Sequence, residues 1–417
     1  MTESTKTRPV GPFALLALGV NGIVGVGIFF IPAGLALAAP GGGSVIMFAL
    51  TALALVPVAL SFAALGKRFD EDGGPVVFAR AAFGQWFSFV VGWVAFVSAV
   101  SSAAAVMVGL VANAGLPLSP GLPQKLAATL LVTVLALVCA TGLRISAGVW
   151  TTLTVLKLIP LVLLVGAYFV WYRPWPETSW HVDWGTWKTA GLTAVFAYQG
   201  FEIVPVLAGQ SRGSARSVPM ATLGSLGLAA ALYVCLQSAC VAALPELARS
   251  GSPLVDAAAI YGGPLLATLV RAGTNVSALG IAVGMVAATP HYLSTLAKGS
   301  LGFSLADTDA KGVPQRALAV TWLLVTILIQ LSDRKELFEL SSVTVLAQYV
   351  VTAAALATLG LRRERGLSPA HLAMALPAAA VGLWLASGAT WNEFTVAGVA
   401  LLLGLALRAV SRSVDRS

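Results

Sequence analysis

The sequence has few charged residues, few histidines and few cysteines. Asp, Glu, Lys and Arg make up 10% of the 417 residues, against about 25% in a soluble domain. The three cysteines lie in apolar stretches without metal-ligand spacing, and the three histidines are far apart in the chain. These shortages exclude an ordinary soluble enzyme and a disulfide scaffold. They also predict no catalytic residue, metal, cofactor or nucleic-acid partner.

Long hydrophobic runs are abundant instead. Hydrophobic residues make up 58% of the chain, and a bilayer-spanning helix needs about 20 residues. Because a backbone in lipid must satisfy its own hydrogen bonds, and short alternating strand patterns are missing from the sequence, we expect an all-α integral membrane protein with 12 transmembrane helices. The predicted spans are 12–37, 43–66, 85–114, 124–142, 146–171, 189–209, 219–245, 264–297, 316–332, 336–360, 368–387 and 394–410.

The distribution of positive charge predicts the orientation. If the spans alternate, seventeen of the 25 lysines and arginines fall on the side of the N-terminus and six on the other side. Positive charge concentrates in cytoplasmic loops. We therefore expect both termini, 1–11 and 411–417, to be cytoplasmic and the protein to lie in the cell membrane. The net charge of +8 then needs no anionic partner.

Two of the spans contain helix-breaking residues. The first span has four glycines within residues 19–27, followed by Pro32. The sixth span contains Gly200, Glu202 and Pro205. Because glycine and proline destabilise helices, we expect both spans to be discontinuous.

The two interrupted spans lie five spans apart, which is typical of a five-helix repeat used twice in opposite orientation. We expect one transporter domain over 1–417, with repeats at 12–171 and 189–360 and two accessory helices at 368–410. The helix ends at each break expose N–H groups that can bind a carboxylate and carbonyls that can bind an ammonium group. An α-amino acid carries both charges.

Four stretches together resemble the amino acid–polyamine–organocation (APC) transporters. They are residues 25–29 with Pro32, residues 73–75 with Phe78, 82–84 and 92–93, residues 200–202 with 208–210 and 217–219, and residues 297–299 with 312–314. The resemblance implies a LeuT-like 5+5 inverted repeat that carries amino acids. The chain departs from the family pattern at Val26, where serine is common, at Gln210, where an acid is usual, and at Val76, where an aromatic is usual.

The resemblance implies a substrate pocket at the two breaks, formed by Ile23, Val24, Gly25, Val26, Gly27, Phe196, Tyr198, Gln199 and Gly200. In the family an aromatic at the place of Phe196 often closes over the substrate, and a packed core phenylalanine is the alternative. The pocket contains little fixed charge, so a neutral, fairly apolar amino acid is the expected substrate.

Four further residues are candidates for coupling or gating: Lys157, Glu202, Thr289 and Tyr349. The resemblance places Lys157 near Gly22 and Ile23 and also near Thr289, as a proton-coupling site, a charged strut or a snorkelling residue. Glu202 either bridges the inner half-helix to its neighbours, senses protons, or contacts a substrate cation. Tyr349 is a weaker candidate gate.

The predicted function is therefore a secondary active amino acid permease that works by alternating access with proton symport. An exchanger, an exporter, a carrier of another small organic amine and a non-transporting nutrient receptor remain as alternatives. The expected partners are the amino acid, protons and the lipid bilayer, with the accessory helices available for packing or for a homodimer.

Overall fold

The computed structural model describes residues 11–25, 27–69, 71, 73–114, 116–142, 147–171, 184–206, 214–297 and 304–414, and its regular structure over these ranges is helical. The helices are α1 Pro12–Ile23, α2 Gly27–Ala38, α3 Gly42–Arg68, α4 Pro75–Phe83, α5 Gln85–Asn113, α6 Leu122–Ala140, α7 Ala147–Val170, α8 Trp184–Tyr198, α9 Ile203–Val206, α10 Ser214–Ala243, α11 Pro253–Leu296, α12 Gln315–Leu331, α13 Arg334–Leu361, α14 Leu372–Ala386 and α15 Trp391–Val414.

Many of these helices have the length and composition of membrane spans. Within the described residues, eight are long and apolar enough to cross a membrane, and counting the bent pair α1–α2 as one span gives nine. Thr154–Val170 in α7 and the whole of α12 are shorter apolar helices. Exposed leucines and valines cover the outer faces of α6, α7 and α15, as expected for surfaces that contact lipid. The prediction of an all-helical membrane protein is thus confirmed.

The first predicted span is divided into α1 and α2. The Val24 N–H group donates to the Val20 carbonyl at 2.8 Å, and the Gly25 N–H group donates to the Ile23 carbonyl at 2.6 Å. These bonds end α1, and α2 leaves at 46° to it. Val26 lies outside the described residues.

The sixth predicted span is also divided, between α8 and α9. Gly200 has φ +127°, a backbone conformation that L side chains rarely adopt. α8 begins at Trp184, earlier than the predicted start at 189, and ends at Tyr198. The interruption predicted within the span 189–209 is therefore present, between the end of α8 at Tyr198 and the start of α9 at Ile203.

Two helical features were not predicted. Helix α4 lies between Gly74 (φ +46°) and Gly84 (φ +87°), which begin and end it. Helix α11 starts at Pro253, well before the predicted span at 264–297, and bends where Gly263 has φ +63°. Helix α4 and the first part of α11 are short and lie beside long apolar runs. Composition alone therefore does not distinguish them from the predicted spans that follow.

Candidate functional site

The first and sixth spans pack against each other through backbone atoms beside their breaks, residues 24–25 and 199–202. A methyl group on Gly200 would lie 2.2 Å from the Gly22 carbonyl carbon and 2.5 Å from the Ile23 nitrogen. A methyl group on Gly27 would lie 2.7 Å from the Ala197 Cα atom. Glycine at these positions therefore allows the two interrupted spans to touch, which brings Ile23, Gly27 and Gly200 of the predicted pocket close to this contact.

Tyr233 on α10 joins the two breaks through its hydroxyl group. The oxygen lies 2.7 Å from the Ile23 carbonyl and 3.1 Å from the Ala197 carbonyl. A tyrosine hydroxyl has one proton, so the two carbonyls share this donor. Sequence reasoning missed Tyr233, because a tyrosine in an apolar span carries no local signal of such a contact.

We predict that Tyr233→Phe lowers stability by about 1 kcal/mol, because the buried carbonyls lose a donor. We also expect uptake to fall about fivefold, since the relative position of the two breaks depends on this bond. The matched control is Tyr261→Phe, which removes a buried hydroxyl that donates to the Ala239 carbonyl at 3.1 Å. Thermal unfolding and uptake are measured for both variants; equal loss of uptake would contradict a specific role for Tyr233.

Lys157 on α7 binds the end of α1. Its Nζ atom donates to the Asn21 carbonyl at 2.9 Å, and the residue is 2% exposed. Asn21 lies in the last turn of α1, where the helix dipole places partial negative charge. The ammonium group therefore binds at Asn21, one residue before the predicted neighbours Gly22 and Ile23. Thr289, the other predicted neighbour, is buried on α11.

Two of the carbonyl groups that end α1, those of Asn21 and Ile23, have identified hydrogen-bond donors. The last carbonyls of a helix lack intrahelical partners. Here the Asn21 carbonyl accepts from Lys157, the Ile23 carbonyl accepts from Gly25 and Tyr233, and the Gly22 carbonyl lies against Gly200. The end of α1 is thus stabilised by the protein itself.

Glu202 stabilises the other break. Its Oε2 atom accepts a hydrogen bond from the Gly200 N–H group at 2.8 Å and one from the Tyr349 hydroxyl at 3.1 Å. Tyr349 is fully buried, and its ring packs against Phe201 and Phe62 with centroids 5.3 and 5.7 Å away. The carboxyl group therefore links the break to α13.

Gln199 joins the break to a cluster of serines. Its Oε1 atom accepts from the Ser341 hydroxyl at 3.0 Å, and its Nε2 atom donates to the Ser342 hydroxyl at 3.4 Å. The Ser341 and Ser102 hydroxyls lie 2.5 Å apart. This serine cluster, Ser102, Ser341 and Ser342, brings α5 and α13 to the break, and sequence reasoning missed it.

The aromatic residues near the breaks point in different directions. Phe196 packs against Phe338 with ring centroids 4.4 Å apart, and Phe338 also stacks with Phe30 at 6.5 Å. Tyr198 is fully buried and donates its hydroxyl to the Phe48 carbonyl at 3.1 Å. Phe196 thus remains beside the breaks, whereas Tyr198 packs into α3.

Comparison with known proteins adds to this geometry. The family described as amino acid permease matches residues 10–405. The chain belongs to the amino acid permease family. This match confirms the predicted relationship to the APC superfamily, and the permease is accordingly a membrane transporter.

Three relatives show how far the similarity extends. The permease is 30% identical over 431 aligned residues to an uncharacterized transporter of Mycobacterium tuberculosis, which covers 98% of this chain and 92% of the relative. It is 26% identical over 379 residues to the glutamate/serine transporter AimA of Bacillus subtilis, covering 82% and 69%. It is 23% identical over 392 residues to human cationic amino acid transporter 4, covering 87% and 61%.

In the permease, residues 312–314 belong to a turn that the Asp309 carboxylate stabilises. Asp309 Oδ1 accepts from the Lys311 and Val313 N–H groups at 2.9 Å, and Oδ2 accepts from the Gln315 amide at 2.8 Å. The Gln315 amide and these N–H groups lower the pKa of Asp309. Gly312 takes φ +82° within this turn. The family-like stretch therefore forms a compact turn in front of α12.

Proposed function

We propose that the permease is a secondary active transporter that moves neutral, apolar amino acids across the cell membrane by alternating access, coupled to protons. The observation that carries this proposal is the backbone contact between the two breaks at Gly22 and Gly200. The start of α2 at Gly27 also lies against the end of α8 at Ala197. These two helix ends have opposite polarity, which suits a substrate that carries a carboxylate and an ammonium group.

The start of α2 is the proposed binding site for the substrate carboxylate. The first N–H groups of a helix have no intrahelical partner and lie at its positive end. The carbonyls that end α1 already serve Lys157 and Tyr233. The carbonyls at the end of α8 are the proposed ligands of the substrate ammonium group, and among them the Ala197 carbonyl shares the Tyr233 hydroxyl with the Ile23 carbonyl.

The proposed substrate class rests on the groups around the breaks. Lys157 and Glu202 each bind protein partners, so neither is set aside for a charged substrate side chain. The rings of Phe196 and Phe338, with Gln199 and its serines, provide a surface that is partly apolar and uncharged. The relatives are named for cationic amino acids in one case and for glutamate and serine in another.

The proposed architecture is a LeuT-like 5+5 inverted repeat of twelve spans within one domain. Each half begins with an interrupted span, α1–α2 in the first and α8–α9 in the second. The nine spans recognised by length are completed by α7, α12 and the α8–α9 pair. Helices α14 and α15 are the accessory spans, and both termini are proposed to be cytoplasmic.

The proposal is tested with the full-length chain in sodium-free liposomes. A panel of radiolabelled amino acids is offered with and without an inward proton gradient, with empty or amino-acid-loaded vesicles. We expect uptake of neutral apolar amino acids into empty vesicles, stimulated by the gradient. Uptake that ignores the gradient and requires internal amino acid would identify an exchanger instead. No flux of any amino acid would contradict the proposed substrate.

A further inference from the structure

A cavity of about 190 Å³ lies between the ends of α6 and α11 and the turn before α12. A single water molecule needs roughly 10–15 Å³ of cavity, so this space is much larger than a packing defect. Its lining includes Cys139 on α6, Val286 and His291 on α11, and Lys311 in the turn. None of the described substrate or coupling candidates lines it.

The cavity is separate from the breaks in the two interrupted spans. A methyl group on Gly25 would lie 3.0 Å from the Ile281 Cδ1 atom on α11, so Ile281 is level with the first break. His291 follows ten residues later on the same helix, which corresponds to about 15 Å along its axis. The cavity therefore lies toward the end of the bundle at which α11 ends, which is the end proposed to face the cytoplasm.

Lys311 lies across the end of α6. Its Nζ atom donates to the Thr141 carbonyl at 3.0 Å, where the dipole of α6 places partial negative charge. Gly142 has φ +81°, and a methyl group there would lie 2.8 Å from the Lys311 Cδ atom. Glycine thus leaves room for the lysine chain, and the contact with α6 holds the lysine at the cavity wall.

The acidic groups near this turn bind other partners. Asp309 accepts hydrogen bonds from its own turn, and Asp307 pairs with Arg316 at 3.3 Å. Within the described ranges, no acidic side chain lines the cavity, whereas Lys311 and His291 both do. The charged side chain at the wall is therefore a cation, and the cavity suits an anion.

The backbone of α11 adds an acceptor beside these two side chains. Pro290 has no N–H group, so the Val286 carbonyl, four residues earlier, does not receive the usual helical hydrogen bond. The His291 ring has an N–H donor in either protonation state. A fitting ligand thus has negatively charged oxygens for Lys311 and His291 and an O–H group for Val286. A phosphate group with a hydroxyl group has both.

The outer face of α6 beside the cavity is apolar. Leu137 and Val138 are 65% and 38% exposed and directly precede Cys139. The acyl chains of a phospholipid can lie along this face while its headgroup reaches the cavity. A phosphate group therefore has two routes to the site, one from the bilayer and one from the cytoplasm.

We propose that this cavity binds a phosphate group between Lys311 and His291. The bound group holds the ends of α6 and α11 against the turn before α12. Inorganic phosphate and the headgroup of an anionic phospholipid such as phosphatidylglycerol present the same chemistry to these residues, and the experiment distinguishes the two sources.

The first measurement is thermal unfolding of the purified full-length chain in phosphatidylcholine nanodiscs. Inorganic phosphate replaces chloride at constant ionic strength in one series, and phosphatidylglycerol is added to the nanodiscs in the other. We expect a saturable rise in unfolding temperature that Lys311→Met abolishes. A rise with inorganic phosphate identifies the free anion as the ligand, and a rise restricted to phosphatidylglycerol identifies the headgroup.

Lys125→Met is the matched control for this measurement. Lys125 Nζ also donates to a backbone carbonyl of another helix, that of Gln330 at 3.1 Å, but at the opposite end of α6. This variant should keep the rise in unfolding temperature. The control separates binding in the cavity from a general effect of anions on a lysine-containing surface.

The Cys139 thiol gives a second, direct measurement of the cavity. Methanethiosulfonate reagents with an anionic or a cationic group modify thiols, and mass spectrometry of peptides separates Cys139 from Cys235 and Cys240. Relative to their rates with a free thiol, we expect the anionic reagent to react with Cys139 at least about threefold faster. The phosphate source that raises the unfolding temperature should slow this reaction. Ala287→Leu, which adds bulk to the lining without changing charge, should slow both reagents.

Both measurements use no transport assay, so they are independent of the proposed function. No rise in unfolding temperature with either source would overturn the proposal. An equal rise in Lys311→Met and the unmodified chain would do the same, as would Cys139 labelling without a preference for the anionic reagent.

Discussion

Replacing Gly200 with alanine is expected to abolish uptake and to destabilise the protein by about 3 kcal/mol or more. The new methyl group would lie 2.2 Å from the Gly22 carbonyl carbon and 2.4 Å from its oxygen. Both atoms belong to the backbone, so no side chain can rotate away. The residue also has φ +127°, and such strain costs about 1–3 kcal/mol by itself. Thermal unfolding of the purified chain and uptake in liposomes measure the two effects.

Two other glycines separate the causes of this effect. Gly263 also has a positive φ, +63°, but a methyl group there meets nothing within 4 Å. Gly166 lies in α7 with open space around it and no positive φ. We expect Gly166→Ala to be neutral and Gly263→Ala to show backbone strain alone. If Gly200→Ala lowered stability and uptake no more than Gly263→Ala, this result would contradict the close backbone contact between the two interrupted spans.

Replacing Lys157 with methionine is expected to reduce uptake more than tenfold. Methionine keeps most of the side-chain volume but removes the ammonium group that donates to the Asn21 carbonyl. A buried carbonyl without a donor costs about 1–3 kcal/mol. The end of α1 would also lose the cation that opposes its partial negative charge. Uptake and thermal unfolding are measured together.

Lys125→Met is the matched control for this prediction. Lys125 Nζ donates to the Gln330 carbonyl at 3.1 Å, so it also joins a lysine to the backbone of another helix. Its site, however, is at the beginning of α6, away from the breaks. We expect uptake to survive in this variant. Equal loss of uptake in both variants would contradict a special role for Lys157.

The same variants distinguish the two leading roles of Lys157. If the lysine couples protons, Lys157→Met should still bind amino acid in a radioligand assay but lose stimulation by the proton gradient. If the lysine is a strut, binding and thermal stability should both fall, and residual uptake should still respond to the gradient. Comparison at equal amounts of folded protein keeps these outcomes separate.

The sequence predicted the features that depend on local physical chemistry. Long apolar runs need a helix in lipid whatever their surroundings, so the helical membrane class follows from composition. Glycine and proline weaken a helix wherever they occur, so the interruptions near Gly25 and Gly200 were visible as patterns. The short motifs around them were sufficient to indicate the family.

The tertiary structure decided which residues meet at the site. Lipid tails and the interior of the bundle are both apolar, so hydrophobic periodicity does not show which face of a span points inward. The contact of Tyr233 with both breaks, the hydrogen bond from Tyr349 to Glu202 and the serines around Gln199 were therefore invisible in the sequence. Such contacts depend on how whole helices pack, which no local pattern of residues specifies.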